Sequence, residues 1–182
     1  MKSILVGMAV LVASIPSQAH RLDEYLQATR IGISLEQILL ALDLTPGVAI
    51  VPELRRWVQP DSSDRISQQQ GNSYAQRVLK DLSLTLDGKK QELYLVSASF
   101  PAWSDIEAGE GVIHLRTTAR ISTLQPGSHE IFFRNDHLPQ ISVYLANAVA
   151  PSSEAIQIRR QSRDNLQRNY RLSFEIKAAA PK

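Results

Sequence analysis

The chain has 182 residues, is 43% apolar and carries a formal charge of +2, with no cysteine. That is enough chain for one domain with a real core, and too near neutral to call for a nucleic-acid partner. The missing thiols exclude disulfides, thiolate metal sites and cysteine nucleophiles.

Residues 1–19 read as a secretory signal peptide. Lys2 gives a short positive start, residues 4–15 are apolar and uncharged, and Ser17 and Ala19 are the small residues of a cleavage site before His20. Cleavage leaves 163 residues, 20–182, and losing Lys2 takes the charge to +1. With no cysteine after the cut, a lipoprotein is excluded. No later apolar run reaches the about 20 residues that cross a bilayer. The expected location is periplasmic or secreted.

Residues 23–33 alternate, with Tyr25, Gln27 and Thr29 on one side and Leu26, Ala28 and Arg30 on the other. Residues 37–45 form a second apolar run, and the short break between them predicts a hairpin. Residues 47–81 change character. A short helix is expected from about Pro52, and a longer one over 67–81, capped by Ser67, with Tyr74, Val78 and Leu82 on one face.

From residue 82 the period returns to two. Leu82, Leu84 and Leu86 lead into an Asp87-Gly88 turn, and Leu93, Leu95 and Ser97 are expected on the return strand. Further strands are expected over 111–123, 129–134, 140–149, 154–160 and 168–177. Ile141, Val143 and Leu145 share one face of the 140–149 strand, and Asp164-Asn165 marks the last turn. Turn signals every ten or so residues predict an antiparallel β-sandwich, mainly β, with an inserted helix–loop–helix over 47–81 and one domain over 20–182.

The loop between the two helices has the outline of an EF-hand. With Ile66 as its central apolar position, Gln59 takes position 1, Asp61 and Ser63 positions 3 and 5, Ser67 position 9 and Gln70 position 12. Calcium needs a carboxylate at position 1, a bidentate Glu at 12 and Gly at 6. This loop has amides at both ends and Asp64 at the sixth place, so it is expected to keep the shape without binding the ion.

A family resemblance rests on this layout. Ala19-His20 opens a strand, and a second strand ends in an apolar segment with proline. The EF-hand-like insertion follows, then Tyr74-Ala75, Leu79, Leu82-Ser83-Leu84, Asp87-Gly88 and Gly109-Glu110-Gly111. The pattern resembles the extracytoplasmic head regions of bacterial nickel/cobalt-exporter-type proteins over roughly residues 19–135. The resemblance implies the architecture and the compartment. The chain departs from the pattern in its non-acidic loop and in having no membrane domain after the head.

Cleavage before His20 would place an α-amine and an imidazole on one residue, a chelate suited to Cu²⁺ or Ni²⁺. His114, His129 and His137 are the candidate further ligands, with Asp23 and Glu24 as nearby oxygens. The competing reading is that these histidines are ordinary surface or core residues. No Gly-x-Ser-x-Gly, His-Glu-x-x-His or Gly-rich phosphate loop occurs, so no enzyme is expected. Asp105, Glu107 and Glu110 near Trp103 have the residue types of a glycosidase site, and equally those of a solvated loop. Arg159, Arg163 and Arg171 are expected on one sheet face, either meeting anionic lipid or polysaccharide or guarding an edge strand; edge protection is the simpler reading. Trp57 and Trp103 are expected to pack, with Trp57 filling the seam between helix and sandwich. The function expected is a non-enzymatic binding or accessory domain with an envelope protein as partner. The alternative is a copper- or nickel-binding protein.

Overall fold

The computed structural model describes residues 23–60 and 64–178. Ten strands form two five-stranded sheets. The first has the order β5-β6-β2-β1-β8, from Tyr94–Ser99, Ile113–Arg120, Gln37–Pro46, Tyr25–Ile33 and Ser142–Ala148. The second has the order β4-β3-β7-β10-β9, from Lys89–Gln91, Leu82–Leu86, Gly127–Asn135, Asn169–Ile176 and Ile156–Arg163. All pairings are antiparallel except β1 with β8, which is parallel. The expected β-sandwich is therefore present, with one parallel edge.

Strict alternation builds the core. Tyr25, Gln27, Thr29, Ile31 and Ile33 of β1 and Ile38, Leu40, Leu42 and Leu44 of β2 are buried. All of these except the polar Gln27 and Thr29 share one apolar cluster with Leu82, Leu84, Leu86, Ile131, Phe133, Leu172 and Phe174 of the second sheet. The β1–β2 hairpin pairs Tyr25 with Pro46 through Ile33 with Ile38, and Ser34 closes its turn on Gln37.

The helix–loop–helix is the crossover between the sheets. β2 ends at Pro46, a 3-10 turn over Val48–Ile50 follows, and α1 spans Val51–Val58 with Pro52 in its first turn. Gln59 ends α1 at φ 50°. α2 spans Gln68–Lys80 and leads directly into β3. Its start is a full capping box: the Ser67 hydroxyl accepts from Gln70 N, and Gln70 Oε1 accepts from Ser67 N at 2.8 Å. Gln70 Nε2 also donates to Gln59 O at 2.5 Å, tying the two ends of the loop together.

Several segments depart from the sequence expectations. β4 is only three residues long, and β5 leaves it for the opposite sheet, so Leu95 and Ser97 pair with β6 rather than returning along β3. The turn itself is as expected, with Asp87 at φ 50° and Gly88 at φ 76°. Val143 and Leu145 share a face as expected; it is the exposed one, and Tyr144 and Ala146 point inward. Asp105 and Glu107 lie on a short helix, α3, Trp103–Glu107, rather than in a loop. A bulge between β9 and β10 at Ser173/Phe174 leaves Arg159 out of register and shifts the strand's phase. Arg159 and Arg171 consequently pair outward with Glu175 and Glu130, while Arg163 turns to the sandwich edge and donates to Ala146 O on β8.

The capping geometry predicts a ranking. Ser67→Ala should lower unfolding free energy by about 1 kcal/mol and Ser67→Gly by only a few tenths. Urea denaturation of the two variants measures the difference.

Candidate functional site

The densest polar chemistry lies between the sheets at the end of β1, around His137. Leaving β7 in the second sheet, the chain crosses to β8 in the first over residues 136–141, with Leu138 at φ 52°. Buried backbone without water needs partners, and side chains supply them. His137 O accepts from Gln27 Nε2 at 2.9 Å, Ser142 Oγ at 3.1 Å and Tyr144 OH at 2.8 Å. His137 N donates to Asn135 Oδ1, and Asn135 Nδ2 donates to Gln27 Oε1, both at 2.9 Å. Gln27 Nε2 also donates to Ser142 Oγ at 2.7 Å, so every polar atom of the Gln27 amide is engaged.

The His137 ring continues the network toward the helices. Nδ1 meets Asp81 Oδ2 at 2.7 Å, and Nε2 meets Tyr74 OH at 3.3 Å. Tyr74 OH in turn meets Tyr25 OH at 2.6 Å. A neutral ring protonated at Nδ1 satisfies the whole line: it donates to Asp81, accepts from Tyr74, and Tyr74 accepts from Tyr25. Tyr25, Tyr74 and Trp57 surround the ring at centroid distances of 6.2, 5.9 and 6.4 Å. Trp57 contacts both Tyr74, stacked at 6.3 Å, and the Arg77 guanidinium, 4.5 Å from its ring. It fills the helix–sandwich seam, as its sequence context predicts.

Burial holds the His137 imidazole below the ordinary histidine range, against an upward pull from Asp81 and with a smaller downward push from Arg77. Burial also raises Tyr25 and Tyr74 well above the usual phenol range. Both hydroxyls therefore stay protonated at neutral pH and act as hydrogen-bonding groups rather than nucleophiles. The line Asp81–His137–Tyr74–Tyr25 fastens α2, the crossing segment and β1 to one another.

The other candidate residues lie elsewhere. His114, on the outer face of the first sheet, meets Asp43 Oδ1 at 2.8 Å, and Asp43 also pairs with Arg30 and Arg116. His129, in the second sheet, meets Asp87 Oδ2 at 2.7 Å and Gln125 O at 2.8 Å. Burial lowers the His129 pKa, but Asp87 and the Gln125 carbonyl outweigh it and the net shift is upward. Each of the three histidines is thus bonded to a different carboxylate, and the fold does not bring them together. Among the described residues no group of three His, Asp or Glu is arranged to hold a metal ion. His20 lies outside the described residues, as do Asp61 and Ser63.

Within the interhelical loop, Gln59, Ser67 and Gln70 close the capping arrangement described above. Asp64, at φ 62°, accepts Trp103 N on its carbonyl and Ser104 N on its carboxylate at 3.1 Å, anchoring the loop to α3. Trp103 is buried, and its Nε1 donates to Glu107 Oε1 at 2.7 Å, where Arg55 also binds. The ring gives no open face to a sugar, and Glu107 serves as the tie between α1 and α3.

His137, a candidate metal ligand by sequence, sits at the centre of this hydrogen-bonded knot. The available signal was Gln27, a polar residue in the inward phase of β1 between Tyr25 and Ile31. No helix among the described residues is long and apolar enough to cross a membrane. No protein-family model matches the chain, and comparison with curated proteins finds no match.

The hydrogen-bond order predicts unequal tyrosine variants. Tyr25→Phe leaves Tyr74 bonded to His137 and should cost about 1 kcal/mol. Tyr74→Phe leaves both Tyr25 OH and His137 Nε2 without a partner and should cost about 2 kcal/mol or more in urea unfolding.

The two shifted histidines also oppose one another with pH. The depressed His137 contributes stability that is complete above the unfolded pKa, about 6.5, and is lost as pH falls through its folded value. The raised His129 contributes stability that is complete below about 6.5 and is lost as pH rises through its folded value. Imidazole NMR should find midpoints on opposite sides of 6.5. His129→Gln should make the melting temperature fall more steeply on acidification from neutral pH.

Proposed function

We propose that this chain is an exported, non-enzymatic binding module of the bacterial cell envelope, docking a protein partner through the outer face of its first sheet. The observation that carries the reading is the contrast between the two outer faces. On the first sheet, Leu26, Val143 and Leu145 are exposed, and the register places Leu26 beside Val143 and Ala28 beside Leu145. Toward the other end of the strands, Leu39, Val96 and Val149 are exposed and, with Gly32, line a hollow of about 300 Å³. Between the two groups lies the Arg30–Asp43–Arg116 ion cluster.

On the second sheet the outer face carries ion pairs instead, Arg171 with Glu130 and Arg159 with Glu175. Apolar side chains grouped on one solvent-facing sheet favour a protein interface, and the net positive centre favours a partner with an acidic centre inside an apolar rim. The signal-like residues 1–19 and the resemblance to exporter head regions support the compartment.

Two measurements test this. The intact mass of protein recovered from the periplasm or medium should correspond to a chain beginning at His20; retention of residues 1–19 there would reject export by cleavage. A photocrosslinking residue at Leu145 should yield a discrete protein adduct in the producing cell, removed by Leu26→Asp, whereas one at Arg171 should not. Equal labelling from both faces, or none from Leu145, would reject the docking face.

A further inference from the structure

Between α1 and the second half of α2 lies an open cleft of about 560 Å³, lined by Arg56, Trp57, Tyr74, Arg77, Lys80 and Asp81 with Ser73 and Gln76. That volume is in the range of small-molecule sites. Three cations and one carboxylate line it. Elsewhere the arginines are mostly committed: Arg30, Arg55, Arg116, Arg134, Arg159, Arg168 and Arg171 each pair with a carboxylate. Among the described residues, the side chains of Arg56, Arg77 and Lys80 have neither an ion pair nor a hydrogen-bond acceptor.

Helix dipoles account for part of this, because Arg56 lies in the last turn of α1, and Arg77 and Lys80 lie in the last turn of α2. They do not account for the convergence of all three on one hollow, or for the posture of Arg77. Its guanidinium lies 4.5 Å from the centre of the Trp57 ring, which also stacks with Tyr74 at a centroid distance of 6.3 Å. The stack fixes the guanidinium and leaves its N–H fork unspent, and such a fork matches an oxyanion. The one carboxylate in the cleft, Asp81, is bonded to His137 Nδ1 inside the core.

We propose that this cleft binds a small multivalent oxyanion, carrying carboxylate or phosphate groups, with Arg77 as the fixed recognition group and Arg56 and Lys80 as flanking charges. The site is separate from the docking face of the first sheet and does not depend on it.

The chain has two tryptophans, so its indole N–H groups give two separable NMR signals. Trp57 is in the cleft, and Trp103 is buried and bonded to Glu107. Inorganic phosphate and citrate are titrated separately into the full mature protein at constant ionic strength, balanced with chloride. The Trp57 signal should move and saturate below about 10 mM with at least one of them, while the Trp103 signal stays in place. Which of the two saturates first separates phosphate from carboxylate chemistry. Arg77→Gln should weaken binding at least about tenfold and Arg77→Lys less, since Lys keeps the charge and loses the fork; Arg171→Gln should have no effect. Equal, non-saturating drift of both indoles, or unchanged affinity in a folded Arg77→Gln variant, overturns the proposal.

Discussion

The structure depends on one buried carbonyl, that of His137. A strand of the second sheet must hand the chain to the first, and the crossing carries peptide groups through the interior. An unpartnered buried carbonyl would cost about 1–3 kcal/mol. Three donors from β1 and β8 converge on this one, and Gln27 supplies the link that also engages Asn135. The crossing fixes the entry of β8, which is why β8 runs parallel to β1 at the sheet edge. It also places an imidazole where α2 can reach it, and Asp81, at the end of α2, does so. The packing of the helical crossover and the register of the edge strand therefore rest on the same few polar contacts.

Much of the sandwich was legible because its strands follow a two-residue period with little interruption. The inward set Tyr25, Gln27, Thr29 and Ile31 is readable from the sequence, and so are the Asp87-Gly88 turn and the capped start of α2. What was not legible depends on partners distant in sequence. Leu93, Leu95 and Ser97 read as a return strand along β3, but β5 pairs with β6, which lies well beyond it in the chain. The phase of β9 reverses at one bulged residue, so a period count that groups Arg159 with Arg163 fails there. Asp105 and Glu107 read as loop residues because a five-residue helix is too short to show a period; α3 is held by Trp103 packing and by Arg55 and Asp64 from other elements. For His137 the local sequence gives no periodicity, and only its surroundings distinguish a core histidine from a ligand.

Sheet twist and edge control explain other features of the surface. β8 and β9 are edge strands of opposite sheets, and open edges invite pairing with other chains. Here Arg163 donates to Ala146 O, and the Ala148 N–H donates to Gln161 Oε1, so side chains of one edge occupy backbone groups of the other. The bulge that disrupts the arginine pattern is what turns Gln161 and Arg163 toward β8. On the opposite side β5 carries its own irregularity between Leu95 and Ser97, leaving Val96 unpaired and 62% exposed. Polar side chains thus occupy backbone groups where β8 meets β9, and a bulge interrupts β5.

The two ends of the interhelical loop are joined by the hydrogen bonds of one amide. In a calcium loop, a carboxylate at the last position and one at the first meet through the cation. Gln70 can accept from Ser67 N and donate to Gln59 O at once, which a glutamate cannot, because it has no hydrogen to give. The amide therefore joins the loop's ends. Asp64 similarly spends its carboxylate on the start of α3. Trp57 of the first helix packs on Tyr74 and Arg77 of the second, and the cleft forms beside those contacts. Asp81 connects the two regions: its carboxylate is bonded to the buried imidazole on one side and borders the cationic cleft on the other. Protonating His137 would strengthen its hold on Asp81 and add a positive charge behind the cleft wall, so the charge state of the core and the field at the cleft are linked through a single side chain.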